Sequence, residues 1–296
     1  MKKIKKSAFL SKVILPVTVS ATFAALFTSC EYGLNEFLYR KNTVDQRANT
    51  IYEIPADEKP VIPESGSYTV VLISDVHFGA EKPTKPRKDD KFFAEIDNMS
   101  NKPAFALCLG DIAEHGYESE MESFIKEIVE PLKDKYGIPT YTVVGNHDLY
   151  NSGWYSFKKH IYPKTSFYHF TTKNFSWYFL DTASDTLGNH QYFAMEKAMR
   201  EDPNPKLVFS HIPFYSGDRF YFKMQNSAER NKVISTFARN NVKGIFSGHT
   251  HIEDISVLGP LTEYTAGGYF ATGAWMILTI NEEDASCAVE FKRLEN

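Results

Sequence analysis

The segment GIFSGHTH, residues 244–251, sets two histidines one residue apart behind a glycine, in a chain with only 9 histidines among 296 residues. It is one of five places where a short apolar run ends in residues that bind divalent cations. ISDVHFG (73–79) carries Asp75 and His77, LGDIAEHG (109–116) carries Asp111, and VVGNHDLY (143–150) carries Asn146, His147 and Asp148. FSHIPF (209–214) carries His211, and the last block carries His249 and His251. Imidazole, carboxylate and amide donors without a thiolate suit manganese, iron or zinc and do not choose among them. In an extended segment residues i and i+2 face one side, so Asp75 and His77 can reach a single ion. His249 and His251 share a side too, but their bases lie roughly 6–7 Å apart, which allows each to serve one of two neighbouring ions. A single such block occurs by chance. Five in order, together using five of the 9 histidines, do not.

The runs that deliver these residues read as strands: YTVVLIS (68–74), AFALCLG (104–110), TYTVVG (140–145), SWYFLD (176–181), KLVFSH (206–211) and KGIFSG (243–248). They are continuous rather than alternating, as expected when both faces of a sheet are covered. The stretch 118–136 places Met121, Phe124, Ile125, Ile128, Val129 and Leu132 at helical spacing, which predicts a helix with one core face. Strands alternating with helices predict an α/β layered fold in a single domain, residues 68–296, with antiparallel strands near its end at AWMILTI and CAVEFKRL. In such sheets the carboxyl ends of strands converge on a crevice, so the five blocks belong to one site.

The ordered set D-x-H, G-D, G-N-H-D, H, G-H-x-H resembles that of the calcineurin-like metallophosphoesterases, over residues 73–251. The resemblance implies a four-layer αββα sandwich with two central mixed β-sheets and a phosphatase or phosphodiesterase that works with two divalent metal ions. It assigns Asp75, His77 and His251 to one ion, Asn146, His211 and His249 to the other, and Asp111 to both. A bridging role suits a carboxylate, which has lone pairs on two oxygens. With a bridging hydroxide the two ions leave a net positive pocket for phosphate, and that hydroxide is the expected in-line nucleophile. The resemblance makes His147 the general acid and Asp148 the residue that orients its ring. Glu114 stands where relatives often carry aspartate, asparagine or tyrosine, which counts against the tyrosine-bearing purple acid phosphatases. His115 is expected on the surface, and His160, His169 and His190 receive no role.

Composition bounds the rest. At 43% hydrophobic and 15% aromatic residues, the chain can bury a large core. The first 29 residues hold five lysines and no acid; without them 33 basic against 37 acidic residues becomes 28 against 37, a formal charge of −9. So acidic a chain is no general binder of nucleic acid, and a phosphoester substrate must be drawn in locally. The lysine-rich start, the apolar run Val13 to Phe27 and the tetrad Phe27-Thr28-Ser29-Cys30 read as a signal peptide (1–29) with a lipobox-like end. Export and a lipid on Cys30, holding the protein to a membrane at the cell envelope, are the expectation. A polar, proline-bearing tether follows, residues 30–67. Cys108, inside an apolar run, is expected as a small buried hydrophobe. PFYSGDRFYF (213–222) either walls the substrate pocket, with Arg219 as a phosphate clamp, or packs its aromatics onto the domain. Two alternatives keep the same residues: a non-catalytic metal-binding scaffold, and a membrane-tethered lipid phosphohydrolase. Substrate, physiological metal and oligomeric state are not legible.

Overall fold

In the strand Ser67–Ile73, Val70 and Leu72 point to one face and Val71 and Ile73 to the other, and all four are buried. The same alternation recurs at Phe105 and Leu107 against Ala106 and Cys108. A sheet apolar on both sides must be covered on both sides. The structure, a computed structural model, describes residues 43–82, 84–217 and 222–295.

Two sheets carry the fold. One contains β1 (Tyr52–Glu53), β5 (Tyr168–Thr171), β6 (Ser176–Phe179), β7 (Lys206–Phe209), β8 (Val242–Ser247), β9 (Asp254–Leu258) and β10 (Leu261–Thr265), in the spatial order β1-β5-β6-β7-β8-β10-β9. The other contains β2 (Ser67–Ile73), β3 (Phe105–Cys108), β4 (Thr140–Thr142), β11 (Ala274–Asn281) and β12 (Ser286–Arg293), in the order β12-β11-β2-β3-β4. Both are mixed: β2, β3 and β4 run parallel, as do β6, β7 and β8, while β11 runs antiparallel to both β2 and β12. The six runs read from sequence are β2, β3, β4, β6, β7 and β8, and the antiparallel C-terminal pair is β11 and β12.

Three apolar clusters fill the spaces of a four-layer α/β sandwich. Between the sheets lie Leu72, Phe105, Leu107 and Met276 from one side and Phe170, Trp177, Phe179, Phe209 and Phe246 from the other. Trp177 stacks on Phe209 at 5.5 Å and meets the Phe105 ring edge-on at 4.9 Å. Outside the five-stranded sheet pack α2 (Asp89–Asn98), α3 (Glu118–Phe124), α4 (Glu130–Tyr136) and α5 (Gly153–His160). Outside the seven-stranded sheet pack α1 (Val44–Arg47), α6 (Gly188–Glu201) and α7 (Ser227–Arg239). The helix expected over 118–136 is present, with Met121, Phe124, Ile128 and Leu132 buried, but α3 and α4 are joined by a π-helical turn, Ile125–Val129. Pro131 explains the interruption, because a proline in mid-helix removes an N–H from the ladder and crowds the preceding turn. Among the described residues no helix is long and apolar enough to cross a membrane.

The tether expected over 30–67 is corrected from Thr43 onward. Val44, Arg47 and Ala48 bury one face of a single helical turn, Ile54 is fully buried, and β1 pairs in parallel with β5. One turn and one isoleucine are too short to register as periodicity, which is why a polar stretch with three prolines reads as a linker. The signal peptide, Cys30 and the first part of the tether lie outside the described residues.

Trp177→Ala should cost about 3–5 kcal/mol, since a large ring between two rigid sheets leaves a hole that cannot close. Urea unfolding checks this: the midpoint falls while the slope stays that of the parent, and an unchanged midpoint contradicts the packing described.

Candidate metal centre

Beyond Ile73 and Cys108 the two chains leaving β2 and β3 stay zipped. Asp75 N–H donates to the Gly110 carbonyl at 3.0 Å, His77 N–H to Asp111 at 2.9 Å and Phe78 N–H to Ile112 at 2.8 Å. They do not continue as extended backbone. Asp75, His77, Asp111, His249 and His251 have φ of 56°, 48°, 52°, 67° and 55°. The left-handed region costs a non-glycine residue roughly 1–2 kcal/mol, so five in one place persist only because surrounding contacts hold them. His249 is the centre of a γ-turn closed by Thr250 N–H on the Gly248 carbonyl at 2.7 Å. The extended i, i+2 geometry expected for both ligand pairs is therefore not what joins them; left-handed turns do. Gly145 is needed at its place because a methyl group there would land on the Asp111 carboxylate.

The seven residues expected as ligands meet in two adjoining groups. In one, His251 Nε2 lies 3.2 Å from both Asp75 Oδ1 and His77 Nε2, and His77 Nε2 lies 4.0 Å from Asp75 Oδ1. In the other, His211 Nε2 lies 3.2 Å from Asp111 Oδ2 and 3.0 Å from Asn146 Oδ1, and the His249 ring stands 5.2 Å from that of His211. His249 and His251 thus part company into different groups. Asp111 Oδ2 is 4.0 Å from His77 Nε2 as well, so it faces both groups. Its second oxygen accepts His147 N–H at 2.8 Å, so one oxygen rather than two is turned to the pair of sites.

His147 sits at the edge, its ring 4.8 Å from His77 and 4.6 Å from Tyr150. Its Nδ1 is 2.8 Å from the main-chain carbonyl of Glu114, which orients the ring and leaves Nε2 for chemistry. The role expected of Asp148 is thereby corrected. Its carboxylate is buried beneath the loops and accepts the N–H groups of Asp111 at 3.0 Å, Ala113 at 2.9 Å and Gly145 at 2.8 Å. Backbone amides leave no trace in a sequence, so the orienting role rested on the family resemblance, which these contacts do not bear out. Glu114 is the residue that sequence reasoning undervalued. Besides lending its carbonyl to His147, it brings Oε2 to 2.8 Å from His77 Nδ1, a carboxylate behind a ligand histidine. Its place three residues after Asp111 was the available signal. His115 is exposed and pairs with Glu120. Of the 213–222 loop, Phe214 packs on Phe237 at 5.3 Å while half-exposed Phe222 stands 6.0 Å from His249; Arg219 lies outside the described residues.

Burial opposes charge on Asp75 and Asp111, yet neighbouring imidazoles hold both carboxyls below their usual range. Burial likewise disfavours a charged His211, but Asp111 offsets this and pushes it up to about 9. His249, buried and beside His211, is pushed down to about 4 and stays neutral. Burial and the Asp111 charge push Asp148 up to about 7 against its three amide donors. Two anions with unexposed side chains, one bearing an oxygen (Asp75 Oδ1) with no hydrogen-bond partner, face imidazole nitrogens; behind these the Leu109 carbonyl lies 2.8 Å from His211 Nδ1 and Glu114 Oε2 lies 2.8 Å from His77 Nδ1. That donor set fits divalent cations: His211 commits Nδ1 to the Leu109 carbonyl, His77 has the Glu114 carboxylate beside its Nδ1, and both turn Nε2 inward.

A pH dependence follows. The folded chain holds the His211 proton more tightly than an unfolded histidine near 6.5, so this stabilisation is complete below that pH and lost as pH rises through about 9. Urea midpoints of chelator-treated protein should fall across that window, and manganese uptake at neutral pH should release protons into weakly buffered solution. A flat profile with no acidification contradicts the assignment.

Known proteins are similar to this chain. The family described as calcineurin-like phosphoesterase matches residues 68–253. A protein of Fibrobacter succinogenes named as a probable cyclic nucleotide phosphodiesterase is 27% identical over 209 residues, 65% of this chain and 76% of that protein. A dimetal phosphatase from Danio rerio superposes with a TM-score of 0.56 at 14% identity, over 78% of this chain and 99% of its own. GAP50, the anchor in the inner membrane complex of Plasmodium, superposes with a TM-score of 0.52 at 13% identity, over 78% of this chain and 90% of its own. At such identities the two structures speak for the fold alone. The chain belongs to the calcineurin-like phosphoesterase family.

Proposed function

We propose that this phosphoester hydrolase is a two-metal phosphodiesterase of the cyclic-nucleotide class. The observation that carries the reading is the division of seven donor residues into two groups with Asp111 Oδ2 facing both. Asp75, His77 and His251 would hold one ion, Asn146, His211 and His249 the other, and Asp111 would contact both. Divalent ions held there supply Lewis acidity toward phosphoryl oxygens and acidify bound water. The chain's own residues do the rest. The Leu109 carbonyl holds His211 Nδ1 and the Glu114 carboxylate stands beside His77 Nδ1, with Nε2 of each ring turned to the centre. His147, with Nδ1 fixed on the Glu114 carbonyl, presents Nε2 at the rim and in its protonated form can give a proton to the leaving alkoxide. Two rings flank the centre, Tyr150 beside His147 and Phe222 beside His249, and suit the planar base of a nucleotide substrate. The name of the Fibrobacter relative supports the same substrate class. The lysine-rich start and FTSC tetrad support export with a lipid on Cys30, which intact-mass spectrometry of membrane-extracted protein checks by the presence of an acylated chain beginning at residue 30.

His147→Ala should lower kcat by about 10²–10⁴-fold while both ions remain bound. Steady-state hydrolysis of bis(p-nitrophenyl) phosphate and 3′,5′-cyclic nucleotides, beside p-nitrophenyl phosphate and phospholipid head-group esters, tests the class. Turnover confined to monoesters overturns the diesterase reading, preference for the lipid esters favours the tethered lipid hydrolase, and inactivity with every metal favours the scaffold.

A further inference from the structure

The first segment of the described chain, residues 43–54, precedes the stretch that matches the family, yet it is fastened along its length. Asp45 Oδ1 accepts His190 N–H at 3.0 Å, Tyr52 N–H donates to Phe167 at 3.1 Å and Ile54 N–H to His169 at 3.0 Å. At the centre of this strap, Arg47 is buried with its side chain 1% exposed. Its guanidinium places Nε 2.9 Å from Asp181 Oδ2, Nη2 3.1 Å from Asp181 Oδ1, and Nη2 3.0 Å from Ser184 Oγ.

Asp181 is the last fixed point before the site. Gln191 clamps its backbone from both sides, accepting its N–H and donating to its carbonyl, each at 2.8 Å. The next residue, Thr182, turns Oγ1 to the backbone of the ligand loop, accepting His211 N–H at 3.2 Å and Ile212 N–H at 2.8 Å. These are buried amides with an acceptor from another loop. The Arg47 guanidinium also lies 5.8 Å from the ring of Trp154, on the helix that follows the His147 turn. One side chain therefore touches the supports of two site residues.

We infer that Arg47 is a positioning residue: through Asp181 and Thr182 it fixes the backbone that aims His211 at the centre. Arginine is required because its planar fork makes two parallel bonds to a carboxylate, which lysine cannot. Removing it leaves the Asp181 carboxylate buried without its partner, and the 181–184 loop must shift to reach water, taking Thr182 Oγ1 with it. The effect on the backbone stands on the hydrogen bonds alone; the effect on metal affinity rests on the two-ion reading given above.

Hydrogen exchange on the full chain, treated with chelator, separates the two. In Arg47→Met the amides of His211 and Ile212 should exchange roughly tenfold or more faster, while those of Val70 and Leu72 in the other sheet keep their rates. Arg47→Lys should fall between, retaining the charge without the fork, and Thr182→Val should reproduce the pattern with Arg47 intact. With manganese added, affinity for one of two equivalents should drop about 10–100-fold in Arg47→Met and Thr182→Val, the other equivalent being unchanged. Equal acceleration in both sheets, or parental rates at His211 and Ile212 in all three variants, overturns the inference. The local exchange pattern without manganese binding by the parent protein upholds the strap and sinks the metal reading instead.

Discussion

Two carboxylates buried side by side govern this molecule. Asp75 and Asp111 are 0% and 1% exposed, and neither can remain ionised in such a place without positive charge nearby. Burial alone would protonate them, whereas the imidazoles around them hold both below the ordinary carboxylate range. Protonated imidazole answers the constraint, most clearly on His211, and divalent cations would answer it more fully, because the donors already converge. Amide donors complete the arrangement: His147 N–H on Asp111 and His249 N–H on Asp75 spend one oxygen of each carboxylate and orient the other inward. Acidity of the whole chain and hydrolysis of an anionic phosphoester can be reconciled at this spot.

The constraint reaches the backbone. Five left-handed residues deliver the ligands, and each would relax were it not tied to a neighbouring loop. Asp148 is the chief tie, one buried carboxylate collecting amides from two loops, Asp111 and Ala113 on one and Gly145 on the other. A residue that never faces the substrate therefore determines where the ligands stand. Rigid sheets beneath make this affordable: the aromatic layer between them offers few ways to yield.

Legibility in the sequence followed locality. Eight strands, the helix at 118–136 and the seven candidate donors that the fold brings together announce themselves within a few positions, because burial produces unbroken apolar runs and cation binding would demand a small set of side chains. β1, β5, β9 and β10 do not, being partly exposed, so that no unbroken apolar run marks them. The partners of site residues were equally hidden. The Glu114 carbonyl behind His147, the Leu109 carbonyl behind His211 and the amides over Asp148 are main-chain groups that any residue supplies. Arg47 escaped notice because its partner lies 134 positions away.

The order of the five-stranded sheet has one more consequence. β2, which ends at the doorstep of Asp75, is flanked by β3 and by β11, and the second neighbour is synthesised some two hundred residues later. Until residues 274–281 arrive, β2 shows a row of bare amides and carbonyls along an apolar ribbon, the template on which chains stick to one another. A chain stopped between His251 and Ala274 would keep every candidate donor yet leave this edge of β2 unpaired, which favours aggregation over a weakened hydrolase.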